Sequence, residues 1–329
     1  MSINTNLHVL YKNPDRDHPG VKNKKWGEYR RQWNENQKNN FISRFPLFLD
    51  LDISSGCNLK CPTCIQTLNK QKLELMPTKL FERIIQEAQD GGCFGFKCHT
   101  IGRGEPLLNP NLPYFIEYGK YSNMIDIRLN TNGTLLDFDL SLDLLQAGLD
   151  MIIFSVDGID DEYNKSRPGI RFDELLYKIR NFVNLRNLGK FGTFIRVQSI
   201  NFPYINFDRY VEFWKELVDE VTIVDFKDMN NRSLNLQGNW KCPQPWQRMS
   251  VLSNGEILPC NHDDRLLSDL GNVDIRSLES AWLSNSNELL RYYHNKMNAH
   301  EVDYCNGCFL RTSEIMKERS TNDSSNCNR

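Results

Sequence analysis

The sequence predicts an α/β protein: a partial barrel of six strand–helix units, followed by a small domain built on a β-hairpin and helices. Three observations lead there. Between Leu47 and about Lys227, short apolar, β-branched runs alternate with stretches of helical period, the pattern of a parallel sheet covered by helices. Several of the strand candidates run into turn-forming residues, among them Ser54-Ser55-Gly56, Asn130 to Gly133 and Asp157-Gly158, and in such folds the ligand site lies at the carboxyl ends of the strands. Cysteines gather in two groups, one from Cys57 to Cys64 and one after Cys242. Eight units would close a full barrel; six predict a partial one.

Residues 1–44 form a polar extension in which Trp26, Tyr29 and Trp33 recur at near-helical spacing. This predicts a short helix packing its aromatics on the main body; the alternative is a lid or a partner-binding arm. The core is expected over 45–230. Its first strand is Leu49-Asp50-Leu51-Asp52-Ile53, which alternates as a half-buried strand does. Strands are then expected at Phe96–Ile101, Ile125–Leu129, Met151–Val156, Phe194–Ile200 and Val221–Phe226. Helices are expected at Pro77–Gln89, Pro113–Tyr121, Asp139–Leu149, Phe172–Leu188 and Phe207–Val218, the fourth with Phe172, Leu175, Leu176, Ile179, Phe182 and Val183 on one face. A polar run at Met229-Asn230-Asn231-Arg232-Ser233 marks the break to a second domain over 231–317, and the Ser, Asn and Asp-rich stretch 318–329 reads as a disordered tail.

Composition narrows the function. Charged residues make up 25%, apolar residues 40%, and the net charge is −2, which gives no basic surface for nucleic acid or an anionic membrane. No apolar run reaches the length of a membrane span, and Met1 to Asn6 has no secretory pattern. A cytoplasmic protein is expected, and ten Cys in such a chain point to metal or redox chemistry rather than disulfides.

Cys57, Cys61 and Cys64 are spaced C-x3-C-x2-C on the loop after the first strand. Three thiolates can hold three corners of a [4Fe–4S] cluster and leave one iron open, where an ordinary cluster takes four Cys. A zinc loop or three core thiols would be the plainer reading. In its place after the first strand, the motif resembles that of radical S-adenosylmethionine (radical SAM) enzymes. The resemblance implies that the open iron chelates SAM and that reductive cleavage gives a 5′-deoxyadenosyl radical, which takes hydrogen from a substrate C–H bond.

Further motifs carry the resemblance. Gly102-Arg103-Gly104-Glu105-Pro106 resembles the GGEP turn, with Arg103 a departure; by resemblance Gly104 and Glu105 contact SAM, Glu105 accepting from its ammonium group. Ser155-Val156-Asp157-Gly158 resembles the fourth-strand S-x-D-G, implying that Ser155 touches SAM and Arg167 meets its carboxylate. Thr63 stands where the family often has an aromatic residue near the adenine. Arg196 and Gln198 lie on the fifth strand, and alternation alone leaves open whether they face the cavity.

In the second domain, Asn254-Gly255 predicts a type I′ hairpin turn that brings Cys242 and Cys260 towards one site. Cys305-x2-Cys308 adds two thiols in a spacing that metals favour. With Gly271-Asn272-Val273 and Leu278 to Trp282 between them, the segment resembles SPASM and twitch extensions, the twitch form implying one further [4Fe–4S] cluster ligated by Cys242, Cys260, Cys305 and Cys308. A zinc knot could use the same four thiolates. Cys93 and Cys98 read first as small core residues, with Cys98 also a candidate hydrogen donor to a substrate radical. Cys327 reads as inert, His99 and His262 as core or supporting residues, and Asp263-Asp264 as a solvated turn or a base.

The expectation is therefore an enzyme using SAM and two [4Fe–4S] clusters, an oxidoreductase or epimerase of a sugar-like or aminocyclitol metabolite. A flavodoxin or ferredoxin-type protein would supply electrons. A peptide maturase is the alternative enzyme, and a non-catalytic metal-binding scaffold the alternative from another class.

Overall fold

The computed structural model describes residues 7–68, 72–98, 104–228 and 232–326. In chain order the strands are β1 (Leu7–Lys12), β2 (Phe48–Leu51), β3 (Gly95–Cys98), β4 (Asp126–Thr131), β5 (Met151–Ser155), β6 (Phe194–Ile200), β7 (Glu220–Val224), β8 (Arg248–Val251) and β9 (Ile257–Leu258). The helices are α1 (Trp26–Asn39), α2 (Ile65–Leu68), α3 (Thr78–Gly91), α4 (Leu112–Tyr121), α5 (Phe138–Gln146), α6 (Asp161–Ser166), α7 (Phe172–Leu188), α8 (Phe207–Trp214), α9 (Leu278–Trp282), α10 (Asn285–Asn295) and α11 (Phe309–Asn326).

Strands β2 to β7 pair in sequence order, all parallel, to give the six-stranded partial barrel. Two strands extend it unexpectedly. β1 pairs antiparallel with β7, and β8, from the second domain, pairs parallel with β2. The expected hairpin exists as β8 and β9. Its turn is not type I′, which needs positive φ at both central residues: of Asn254 and Gly255, only Gly255 is positive, at 86°, and its N–H donates to Leu252 O at 2.9 Å. This is the three-residue loop with a left-handed glycine instead.

The apolar side of each barrel strand faces the helices. Leu49 and Leu51 of β2, Phe96 and Cys98 of β3, and Ile127 and Leu129 of β4 join Phe81, Ile84 and Ile85 of α3 and Phe115 of α4 in one core. Phe81 and Phe115 stack at 4.0 Å between ring centroids. The other side of β2 carries Asp50 and, just past its end, Asp52, yet it is also buried. Asp50 is 1% exposed and Asp52 4%, so β2 is covered on both faces and not half-buried as its alternation suggests. α1 packs its aromatics on the body as expected: Tyr29 and Trp33 are buried with Phe48 of β2.

α11 continues to Asn326 through most of the stretch whose composition suggests a disordered tail. Gly102, Arg103, His99, Met229 to Asn231 and Cys327 lie outside the described residues. Among the described residues, no helix is long and apolar enough to cross a membrane.

Candidate active site

The strands deliver their inward side chains to a cavity of about 360 Å³. Cys57, Cys61 and Cys64 line it, as do Gly104, Glu105, Ser155 and Arg167. The separate sequence motifs thus meet at one place. Arg196 and Gln198 also face it, which alternation alone had left open.

The thiol loop is fixed by its neighbours. Cys64 N donates to Cys61 O at 3.0 Å, and Thr67 Oγ1 to the same carbonyl at 2.8 Å. None of the three is in a disulfide, and all are part-exposed. Burial pushes the Cys57 thiol up to about 11; it also raises Cys61, against the pull of the Arg167 cation. Bare, Cys57 and Cys61 keep their protons, so loading a cluster releases them.

Gly104 lets the β3 turn approach this loop. Its φ is 75°, and a Cβ there would lie 1.9 Å from Ser54 O. Glu105 N donates to Gly56 O at 2.7 Å. Gly104→Ala is expected to cost about 1–3 kcal/mol in backbone strain and to reduce SAM cleavage with it; thermal melting and 5′-deoxyadenosine formation check both.

Glu105 is more committed than its motif implies. Its carboxylate, 2% exposed, already accepts from Leu107 N at 3.1 Å, Thr131 Oγ1 at 2.6 Å and Asn132 N at 2.8 Å. It ties the β3 turn to the β4 turn while lining the cavity. Burial raises its pKa, against these donors. Arg167 Nε lies 2.7 Å from Asp157 Oδ2, so the S-x-D-G aspartate holds it. Burial alone would lower this guanidinium; Asp157 and Cys61 overcome that and raise it. Asp157 also accepts from Ile200 N at 2.8 Å, locking the β5 turn to β6.

Cys98 does not face the cavity. It is fully buried among core residues on the helix side of β3, and burial holds its thiol far above the ordinary range. Lys97, its neighbour, takes the inward position, because successive side chains alternate. Cys98 is therefore corrected from candidate hydrogen donor to core residue. Asp263 and Asp264 are corrected too: neither is solvated, at 1% and 7% exposure. Asp263 accepts from Leu267 N at 3.0 Å and Ser268 N at 2.9 Å, and Asp264 pairs with Arg232.

Cys242, Cys260, Cys305 and Cys308 line a second, smaller cavity of about 20 Å³. Two residues there, His294 and Arg311, carry no clear sequence signal. His294 of α10 accepts from Cys242 N at Nδ1, 3.4 Å away, and its Nε2 lies 3.6 Å from Cys305 Sγ. Nδ1 as acceptor assigns the proton to Nε2, facing the sulfur. Burial lowers the His294 pKa to about 3, so the ring is neutral. Arg311 is 2% exposed, and its Nε and Nη2 have no partner. A buried cation with idle donors beside four thiols suits an anionic thiolate cluster, which would satisfy it. His262 lines both cavities.

Comparison with known proteins agrees. Residues 51–197 match the radical SAM superfamily, and residues 242–309 match SPASM, the iron–sulfur cluster-binding domain. The chain belongs to the radical SAM superfamily. Its radical SAM core uses SAM and a [4Fe–4S] cluster, and its SPASM segment implies auxiliary iron–sulfur ligation. A probable GTP 3′,8-cyclase of Methanococcus maripaludis is 36% identical over 121 residues, 36% of this chain and 39% of the relative. The chain thus spans under two fifths of the length of such a relative. BtrN, in complex with AdoMet and 2-DOIA, superposes with a TM-score of 0.57 at 19% identity, over 82% of this chain and 94% of that one. Streptococcus suis SuiB bound to S-adenosylmethionine gives 0.61 at 18%, over 80% and 72%. At these identities the two structures speak for the fold.

Proposed function

We propose that this radical SAM enzyme oxidises a sugar-like small molecule, with Cys57, Cys61 and Cys64 as ligands of the SAM-binding cluster and Cys242, Cys260, Cys305 and Cys308 as ligands of one auxiliary cluster. The observation that carries the reading is the meeting of two thiol sets in two adjoining cavities that share His262. Cys57, Cys61 and Cys64 would hold a cluster that, once reduced by an external electron donor, would supply with SAM the radical chemistry for abstracting hydrogen from a substrate C–H bond, and Cys242, Cys260, Cys305 and Cys308 would hold a fully ligated cluster that would supply an electron sink.

The chain's own residues set the geometry. Gly104 opens the space beside the thiol loop, Ser155 offers a hydroxyl, and Arg167, aimed by Asp157, keeps further N–H donors for a carboxylate. Glu105 has lone pairs left for an ammonium group. His294 and Arg311 place donors against the auxiliary thiols, where hydrogen bonds to sulfur tune potential. Oxidation is favoured over epimerisation because Cys98 is turned away, and the only cysteines among the described cavity-wall residues are the three proposed ligands. A small molecule is favoured over a peptide because the described residues before the barrel pack onto the body as β1 and α1. The core domain is taken as 45–230 and the cluster domain as 231–317. A reducing cytoplasm suits the nine cysteines that stand outside disulfides among the described residues, and a flavodoxin or ferredoxin-type donor suits the chemistry.

Anaerobic reconstitution with iron and sulfide tests the assignment. The expected content is about eight irons per chain. About four irons, with zinc retained at the late thiols, would contradict the auxiliary cluster.

A further inference from the structure

We propose that the inner wall of the cavity is a binding site for an oxyanion, a phosphate or carboxylate carried by the substrate, formed by Lys97, Arg128, Arg196 and Arg248. The proposal rests on reading this cavity as the substrate chamber. The four cations come from β3, β4, β6 and β8, and all line the cavity. The carboxylates they lean on stand behind them, outside that lining. Asp50, Asp126 and Glu220 are 1%, 0% and 6% exposed. The positive ends therefore face the space and the negative ends face the protein.

The pairing leaves donors unspent. Asp50 serves two cations, with Lys97 Nζ at 3.5 Å and Arg248 Nη1 at 3.1 Å. Asp126 takes Nε and Nη2 of Arg128, both at 2.6 Å, and also the Tyr29 hydroxyl at 3.1 Å. Glu220 takes Nε of Arg196. A guanidinium has five N–H donors, so each arginine keeps some for a ligand. Arg248, 8% exposed, has no partner at Nε. It stacks over Trp33 at 4.7 Å and Phe48 at 5.7 Å, which fixes its plane before any ligand arrives. Burial lowers the Lys97 pKa to about 8 against the pull of Asp50, with Arg248 and Arg128 adding to the fall. An anion would relieve that strain among like charges.

Fixed, desolvated guanidinium groups from several strands are the arrangement that binds phosphate or carboxylate. An oxyanion held there orients the carbon skeleton towards the thiol loop. A sugar phosphate or sugar acid fits this wall. An aminocyclitol with charged amino groups does not, which removes one of the two metabolite classes that the sequence suggests.

Calorimetric titration of the reconstituted, SAM-loaded protein tests this, with inorganic pyrophosphate and malonate as probes. Saturable binding of at least one is expected; preference for pyrophosphate assigns a phosphate, and preference for malonate a carboxylate. Lys97→Met should weaken binding by about ten- to a hundredfold. Lys79→Met, on the exposed side of α3, should bind as wild type does. If Lys97→Met melts early, the paired variant Arg196→Gln/Glu220→Gln removes a cation without stranding a buried carboxylate, and should show the same loss. No saturable binding of either probe, or unchanged binding in a folded variant, overturns the proposal. SAM cleavage by wild type without probes is scored separately. Cleavage without anion binding sinks the anion site alone; its absence in cluster-loaded protein sinks the enzyme reading beneath it.

Discussion

Cys61→Ala will reduce 5′-deoxyadenosine formation to background while the protein keeps about four irons per chain. Cys61 is the middle thiol of three on one loop, lines the large cavity, and sits close enough to Arg167 to feel its charge. Two thiols cannot hold the three corners that leave a single open iron. The four later thiols line a different cavity, so their cluster should load independently. Iron analysis and chromatography of the SAM products read both halves of the expectation. A variant that still cleaves SAM at the wild-type rate would overturn the ligand assignment. One that loses all its iron would show that the two thiol sets do not load separately.

Asp126→Ala should destabilise the fold by about 3–5 kcal/mol, because it strands a buried cation. Asp126 is fully buried, takes both Arg128 bonds and the Tyr29 hydroxyl, and lies 3.2 Å from His18 Nε2. One carboxylate thereby joins α1 and the N-terminal segment to β4. Denaturant unfolding of anaerobic protein measures the loss, and Asp126→Asn, which keeps an acceptor, should lose less. Burial opposes ionisation of Asp126, but Arg128 and His18 outweigh it and hold its pKa well below the ordinary range. A carboxylate depressed in the folded state stabilises above its unfolded pKa of about 3.9 and loses that contribution as pH falls below it. The stability gap between wild type and Asp126→Asn should therefore narrow below about pH 4. A gap that stays constant from pH 7 to pH 3 would contradict this.

Much of this architecture could be read from the chain. α7 and β6 occupy the expected ranges to the residue, since each carries a strong apolar period between clear turn signals. The thiol spacings and strand-end turns also name all seven cysteines and several turn residues around the two cavities. What was hidden is long-range. β1 is a short strand that, among the described residues, pairs only with β7, more than two hundred residues later. β8 joins β2 across the domain boundary, and only that pairing brings Arg248 to Asp50. Local periodicity carries neither pairing.

The inner wall was misread for a different reason. Alternation of apolar and charged residues ordinarily marks a sheet with one solvated face. Here the charged face of β2 closes on itself inside the barrel, and Asp50 finds Lys97 and Arg248. The same rule places Cys98 opposite Lys97, and so in the core. His294 and Arg311 were invisible because a lone His or Arg on a helix has no signature until the chain folds it against thiols.

The most direct measurement is reductive SAM cleavage by the anaerobically reconstituted wild-type protein. With dithionite as reductant, 5′-deoxyadenosine should accumulate with time, and omitting either dithionite or SAM should abolish it. Cluster-loaded protein that binds SAM yet forms no 5′-deoxyadenosine would contradict the assignment of this cavity as a radical-generating site.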